Sequence, residues 1–182
     1  MSGTPSPVLS PEEFDFLLAE LRRSGDELLG GVPVPGSPLW RKSDGDGRWT
    51  VAEIVEHLVI VETLVQQNLP GQVAEGPRPG WEAVEVTPME VLRQVRVRGE
   101  RRVEAPPRLH PGGSVEAGAL PARFRSARAA TIAWAGGLRD QPLRAILPPP
   151  HPALGQLNAA QRLLSVAWHT DRHVEQIREC LR

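Results

Sequence analysis

The chain has 182 residues, 40% of them hydrophobic and 24% charged, with a net charge of −1; this is enough for one domain with a buried core. So even a balance points to neither nucleic acid nor an anionic membrane surface, and no run approaches the ~20 apolar residues of a membrane span. Cys180 is the only cysteine, which excludes an intrachain disulfide and a cysteine-type zinc cluster.

The first ten residues, "MSGTPSPVLS", lack the basic start and apolar run of a signal peptide. A cytoplasmic protein is expected, with residues 1–9 as a flexible N-terminus ahead of a single domain. Nineteen prolines and seventeen glycines predict long, stiff connections. Lys42 is the only lysine; the arginine bias reads as base composition rather than as a phosphate-binding signal.

The first helix starts at "SPEE", Ser10 to Glu13, a capping box with Pro at the first helical position. Phe14, Leu17, Leu18, Leu21, Leu28 and Leu29 recur at helical spacing, and Gly30-Gly31 ends the run. A second capping box, Thr50 to Glu53, opens a helix carrying Val51, Ile54, Val55, Leu58, Val61 and Val65, which Pro70-Gly71 should close. "TPME", Thr87 to Glu90, predicts a short third helix through Leu92 and Val95. "RGERRVEAPPRLHPGG" follows as an extended strap, since Pro106 and Pro107 exclude helix.

A fourth helix is expected from about Leu120 to Ala135. The last runs from the Asn158 cap, with Gln161 as its capping-box partner, to the end of the chain. "WEAVEV" alternates weakly, which is too little for a sheet. The period is helical throughout, so the fold class is all-α: a four-helix bundle with long irregular connections.

Five histidines are present. His110 and His151 each precede a proline in loop segments, where an imidazole facing solvent or packed on the loop is the simpler reading. His169 and His173 lie four apart on the last helix, so they point within about 40° of each other and could grip one ion at ~2.0–2.1 Å. His57 sits beside the apolar face of the second helix. There it needs a hydrogen-bond partner or a ligand, because an unsatisfied buried polar group costs roughly 1–3 kcal/mol. Together the three would make a site with open coordination positions, the catalytic rather than the structural pattern. The spacing alone leaves packed imidazoles equally open. Position 170 is Thr, so the metalloprotease "HExxH" is absent.

Other candidates are weaker. Glu53 could orient a ligand or act as a base, but its spacing from Thr50 already explains it as a cap. Glu56 and Asp171 read as solvated face residues. Gln176 could hydrogen-bond near the site or pack at the core edge. Arg123, Arg125 and Arg128 read as surface arginines, or as partners for carboxylates of a cofactor.

"GRWTVAEIVEHLVIVE", Gly47 to Glu62, resembles the second-helix motif of the DinB/YfiT-like superfamily, in which a Trp and a Ser/Thr cap precede the helix bearing the first metal histidine. "HPALGQLNAAQRLLSVAWHTDRHVEQI", His151 to Ile177, is similar to that family's C-terminal signature, where a His-Pro…Gly turn leads to the histidine pair. "VEAPPRLHPGG" and "ARFRSAR" also resemble one branch of it. The resemblance covers roughly Pro11 to Leu181. It implies an up-down-down-up four-helix bundle, often a homodimer, with a divalent metal, zinc or nickel, on His57, His169 and His173. It further implies either a small-molecule enzyme or a non-catalytic binding or stress-response protein on the same bundle. The enzymes of the family are hydrolases or S-transferases that use a low-molecular-weight thiol such as bacillithiol or mycothiol.

Overall fold

The computed structural model describes residues 6–97, 105–113 and 115–182. Among these residues five α-helices run in order: α1 (Pro11–Gly31), α2 (Val51–Ala74), α3 (Met89–Arg93), α4 (Leu120–Gly136) and α5 (Ala159–Cys180). Among the described residues there is no β-strand, only isolated bridges between Ser43 and Thr50 and between His151 and Gly155. No helix among them is long and apolar enough to cross a membrane.

The three capping boxes at Ser10, Thr50 and Asn158 form as expected, each with reciprocal bonds to the residue three positions on. Each satisfies backbone donors that would otherwise be orphaned at a helix start. The short third helix starts without a side-chain cap. Pro88 occupies the cap of α3, and Thr87 instead faces the turn before α5: its amide donates to Gln156 O at 2.8 Å and its hydroxyl to Leu154 O. The competing partner lies 67 residues away, beyond any local signal.

α2 also departs from expectation by continuing through Pro70 to Ala74. A proline inside a helix costs roughly 3 kcal/mol. Leu69 is buried on the preceding position, and Val73 packs against the same cluster. Their burial, about 1.5–3 kcal/mol for each side chain fully removed from water, offsets the loss.

The core forms two clusters. Phe14, Leu17, Leu21, Leu163, Ala167 and Trp168 anchor one; Leu28, Ile54, Leu58, Phe124, Val174 and Ile177 anchor the other. α1 packs chiefly along α5, and α2 along α4. Gly25 lies where α1 meets α4: a Cβ there would stand 3.2 Å from Arg128 Cγ, tight enough that the arginine would have to shift.

Three residues read from sequence as surface groups are not. Arg128 is buried and donates to Glu62 on α2, to Leu21 O at 2.6 Å and Ser24 Oγ at 2.8 Å on α1, and to Thr170 Oγ1 on α5 at 2.8 Å. One side chain of α4 thus reaches all three other long helices. Asp171 ties α1 to the segment after α3, pairing with Arg23 at 2.6 Å and Arg96 at 2.9 Å. Glu56 is buried, and its Oε2 accepts from the Gly113 amide at 2.9 Å. Arg123 and Arg125 are exposed, as read, and Cys180 is a buried thiol.

Residues 1–5 and 98–104 lie outside the described residues, so the flexible-terminus and strap expectations apply there only as expectations. Residues 6–8 are docked: Arg144 donates to Ser6 O at 3.1 Å and Val8 O at 2.7 Å, and its amide to Pro7 O at 3.0 Å. The strap's remaining part holds a 3₁₀ turn, Pro107–Leu109, against α2.

Candidate metal centre

His57 comes from the second turn of α2, whose start is fixed by the Thr50 cap. His169 and His173 come from successive turns of α5. The fold brings them together: one ring nitrogen from each lies within 4.8 Å of the other two. The ring centroids are 4.5–5.2 Å apart. His57 and His173 are 2% and 8% exposed, so the cluster is largely shielded from water.

Their hydrogen bonds fix which nitrogens are available. His57 Nδ1 lies 2.8 Å from Leu109 O. A carbonyl only accepts, so Nδ1 carries the proton and Nε2 keeps its lone pair. His173 Nδ1 lies 2.9 Å from Gln176 Oε1, which leaves the Nε2 lone pair of His173 in the same way. That atom faces His169 Nε2 at 3.1 Å. Two such nitrogens repel unless a proton or a cation lies between them.

Burial holds His57 below its ordinary pKa, despite the opposing Leu109 bond. Burial first, then the neighbouring His173 and His57 rings, push His169 well below its own. Both are therefore neutral at neutral pH, the state in which imidazole ligates a metal. Three convergent ring nitrogens, two with their second nitrogen already anchored by an oxygen acceptor, fit a divalent ion in both donor set and support.

Residues around the cluster shape it. Trp49, immediately before the Thr50 cap, covers one side, its ring centroid 4.8 Å from His57 and 6.4 Å from His173. Leu109 on one side of the 105–113 segment binds His57, and Gly113 at its end binds the adjacent Glu56. That segment is fastened to α2 by consecutive residues. The neutral charge pattern of "VEAPPRLHPGG" gives no signal for this. Gln176 does reach the site, as one of its two sequence readings had it.

Glu53 takes no part in the cluster. Its Oε2 accepts from Thr50 N at 2.7 Å and Thr50 Oγ1 at 2.9 Å, the capping role. His110 lies at the edge, its Nε2 2.8 Å from Ala105 O and its ring 6.0 Å from Trp49. His151 stands in the turn before α5, where its Nδ1 accepts from the Ala153 amide at 3.1 Å.

Comparison with known proteins gives one finding. The family model described as DinB superfamily matches residues 8–177. No curated protein and no solved structure matches the chain.

Proposed function

Because the chain belongs to the DinB superfamily, we propose that it is a metal-dependent enzyme acting on a small molecule, with His57, His169 and His173 holding one divalent ion. Zinc and nickel both suit three imidazoles. The observation that carries this reading is the meeting of three imidazole nitrogens within 4.8 Å, two of them on rings whose other nitrogen is engaged elsewhere. The four long helices take an up-down-down-up order in this reading, which agrees with α1 lying against α5 and α4, and α2 against α4 and α5.

When bound, the ion supplies Lewis acidity that makes a thiol or water a nucleophile near neutral pH. The reaction is S-transfer from a low-molecular-weight thiol such as bacillithiol, or hydrolysis when water is the nucleophile. The chain's own residues do the rest. Leu109 and Gln176 hold two rings in one tautomer and one orientation. Trp49 closes one side of the cluster with apolar surface and keeps bulk water from it. The carboxylate of Glu53 is committed to the helix cap, so no proton transfer is assigned to it.

Metal analysis tests the centre. Protein purified without a nickel resin should carry close to one equivalent of ion, lost in a His57→Ala/His169→Ala double variant. Conjugation of monochlorobimane in the presence of a panel of small thiols tests the transferase activity. Metal retained by the double variant overturns the ligand assignment; a loaded protein inert towards every thiol and ester tried leaves a binding protein.

A further inference from the structure

A cavity of about 630 Å³ opens where the start of α1, the 81–89 segment and the start of α5 meet. Small organic ligands occupy spaces of about 300–1,000 Å³. None of the three clustered histidines lines it. Its last residue on α5, Leu164, stands five positions before His169, about 7.5 Å along the helix axis. The cavity is a place apart from the metal centre.

Its walls are mostly apolar. Phe16, Trp81, Met89 and Leu164 contribute to them; Phe16 is 44% exposed and Trp81 half-buried. Large apolar side chains left uncovered in a concave surface favour a ligand that covers them.

Set among them is Asn158, only 8% exposed. Its backbone amide donates to Gln161 Oε1 at 3.0 Å, and its Oδ1 accepts from the Gln161 amide at 2.9 Å. That capping bond fixes which end of the side chain is oxygen, so Nδ2 is the other end and a donor. Nδ2 has no hydrogen-bond acceptor among the described residues, and it is not sealed from the cavity. A ligand oxygen there would satisfy it.

The charges around the cavity decide the sign of the ligand. Glu13 and Arg144 pair with each other and cancel. Glu12 accepts from Ser10 Oγ at 2.8 Å, and neither it nor Glu82 has a cation partner among the described residues. Arg93 has no carboxylate partner among them either. Two uncommitted carboxylates thus stand against one guanidinium, a surplus of one negative charge. The capping boxes at Ser10 and Asn158 already hold amides at both helix starts, which weakens the pull of those helix ends on an anion. The faces of the Phe16 and Trp81 rings attract a cation as well.

We propose that this cavity is a second ligand site, which binds a small apolar amine. Its cationic nitrogen meets Glu12 and Glu82, its aromatic or alkyl body covers Phe16, Trp81 and Leu164, and an acceptor oxygen takes the Nδ2 proton of Asn158. The site is independent of the metal centre and of the reaction assigned to it.

Isothermal titration calorimetry on the full chain at low ionic strength tests it with three ligands that share one body: N-(3-aminopropyl)-2-naphthamide, N-(3-hydroxypropyl)-2-naphthamide and 4-(2-naphthamido)butyrate. The amine should bind the wild-type protein about tenfold more tightly than the alcohol, and the acid more weakly than either. The advantage of the amine should shrink as salt is raised. Glu82→Gln should remove most of that advantage and leave the alcohol's affinity unchanged, whereas Trp81→Ala should weaken all three ligands. Equal affinities, or a preference for the acid, would overturn the cationic site, and that comparison needs no variant to fold. So would the failure of all three to bind. Loss of amine binding in a His57→Ala/His169→Ala chain of unchanged helical content would place the ligand at the histidines and overturn the second site.

Discussion

The guanidinium of Arg128 lies 2.6 Å from the carboxylate of Glu62, and the two side chains are only 5% and 1% exposed. The pair joins α4 to α2 in the middle of the bundle. Thr131 donates to the second carboxylate oxygen at 2.6 Å, and Leu21, Ser24 and Thr170 accept from the guanidinium. Each of these partners is a polar group in the right sense, so the desolvation of both charges is answered by bonds.

Removing one partner leaves the other buried and uncompensated. Glu62→Ala should therefore lower unfolding stability by about 3–5 kcal/mol, measured by chemical denaturation. The double replacement Glu62→Leu/Arg128→Met should cost less than Glu62→Ala alone, because no unpaired charge remains. A double variant weaker than the single would show that the hydrogen-bonded network contributes beyond charge balance.

Gln176 holds the Nδ1 side of His173. Gln176→Leu should weaken metal affinity by about tenfold, the lower end for loss of a group that orients a ligand, with the helical content of the fold unchanged. Competition against a chelator of known affinity measures it. Affinity equal to wild type would remove Gln176 from the support of the site.

The capping role of Glu53 separates from any role in chemistry. Glu53→Ala should destabilise the fold by about 0.5–2 kcal/mol, while metal content and thiol conjugation per folded molecule stay as in wild type. A selective loss of turnover at full metal occupancy would return Glu53 to the reaction.

The pH response of His151 has a definite sign. Its folded value is held at about 4 against an ordinary 6.5. As pH falls below 6.5, the unfolded chain gains a proton there that the folded protein does not take until about pH 4. The contribution is fully present above 6.5 and is lost progressively between the two values. His151→Asn keeps an acceptor for the Ala153 amide without the titration. The stability of wild type relative to this variant should fall from pH 6.5 towards 4 and be flat above 7, followed by denaturant midpoints across that range.

Glu56 anchors the Gly113 amide at 2.9 Å. Glu56→Ala should raise the hydrogen-exchange rate of that amide and of its neighbours in 105–113, with little change in α5. Unchanged exchange would mean that the Leu109 bond to His57 alone holds the segment.

How much of this was legible beforehand follows from the range of each interaction. The capping boxes at Ser10, Thr50 and Asn158 are three-residue devices, and all three form. The His169–His173 pair needed only helical spacing. The burial of Arg128, Glu56 and Asp171 was not legible, because their partners lie far along the chain: Leu21 is 107 residues from Arg128, Gly113 is 57 from Glu56, and Arg23 is 148 from Asp171. A charged residue at a helix position looks the same in sequence whether it meets water or a distant partner. The engagement of Thr87 by Leu154, 67 residues on, was illegible for the same reason. The placement of His57 beside the pair was an inference by resemblance, and the packing of α2 along α5 supplies its physical basis.

Trp49 gives the cluster a property independent of any chemistry. It is one of five tryptophans, and its ring centroid lies 4.8 Å from that of His57 and 6.4 Å from that of His173. An open-shell ion arriving there would sit within a few ångströms of an excited state and drain it. The protein therefore carries its own optical reporter, in which occupancy of the centre reads out as a fall in near-ultraviolet emission that a Trp49→Phe chain would lack.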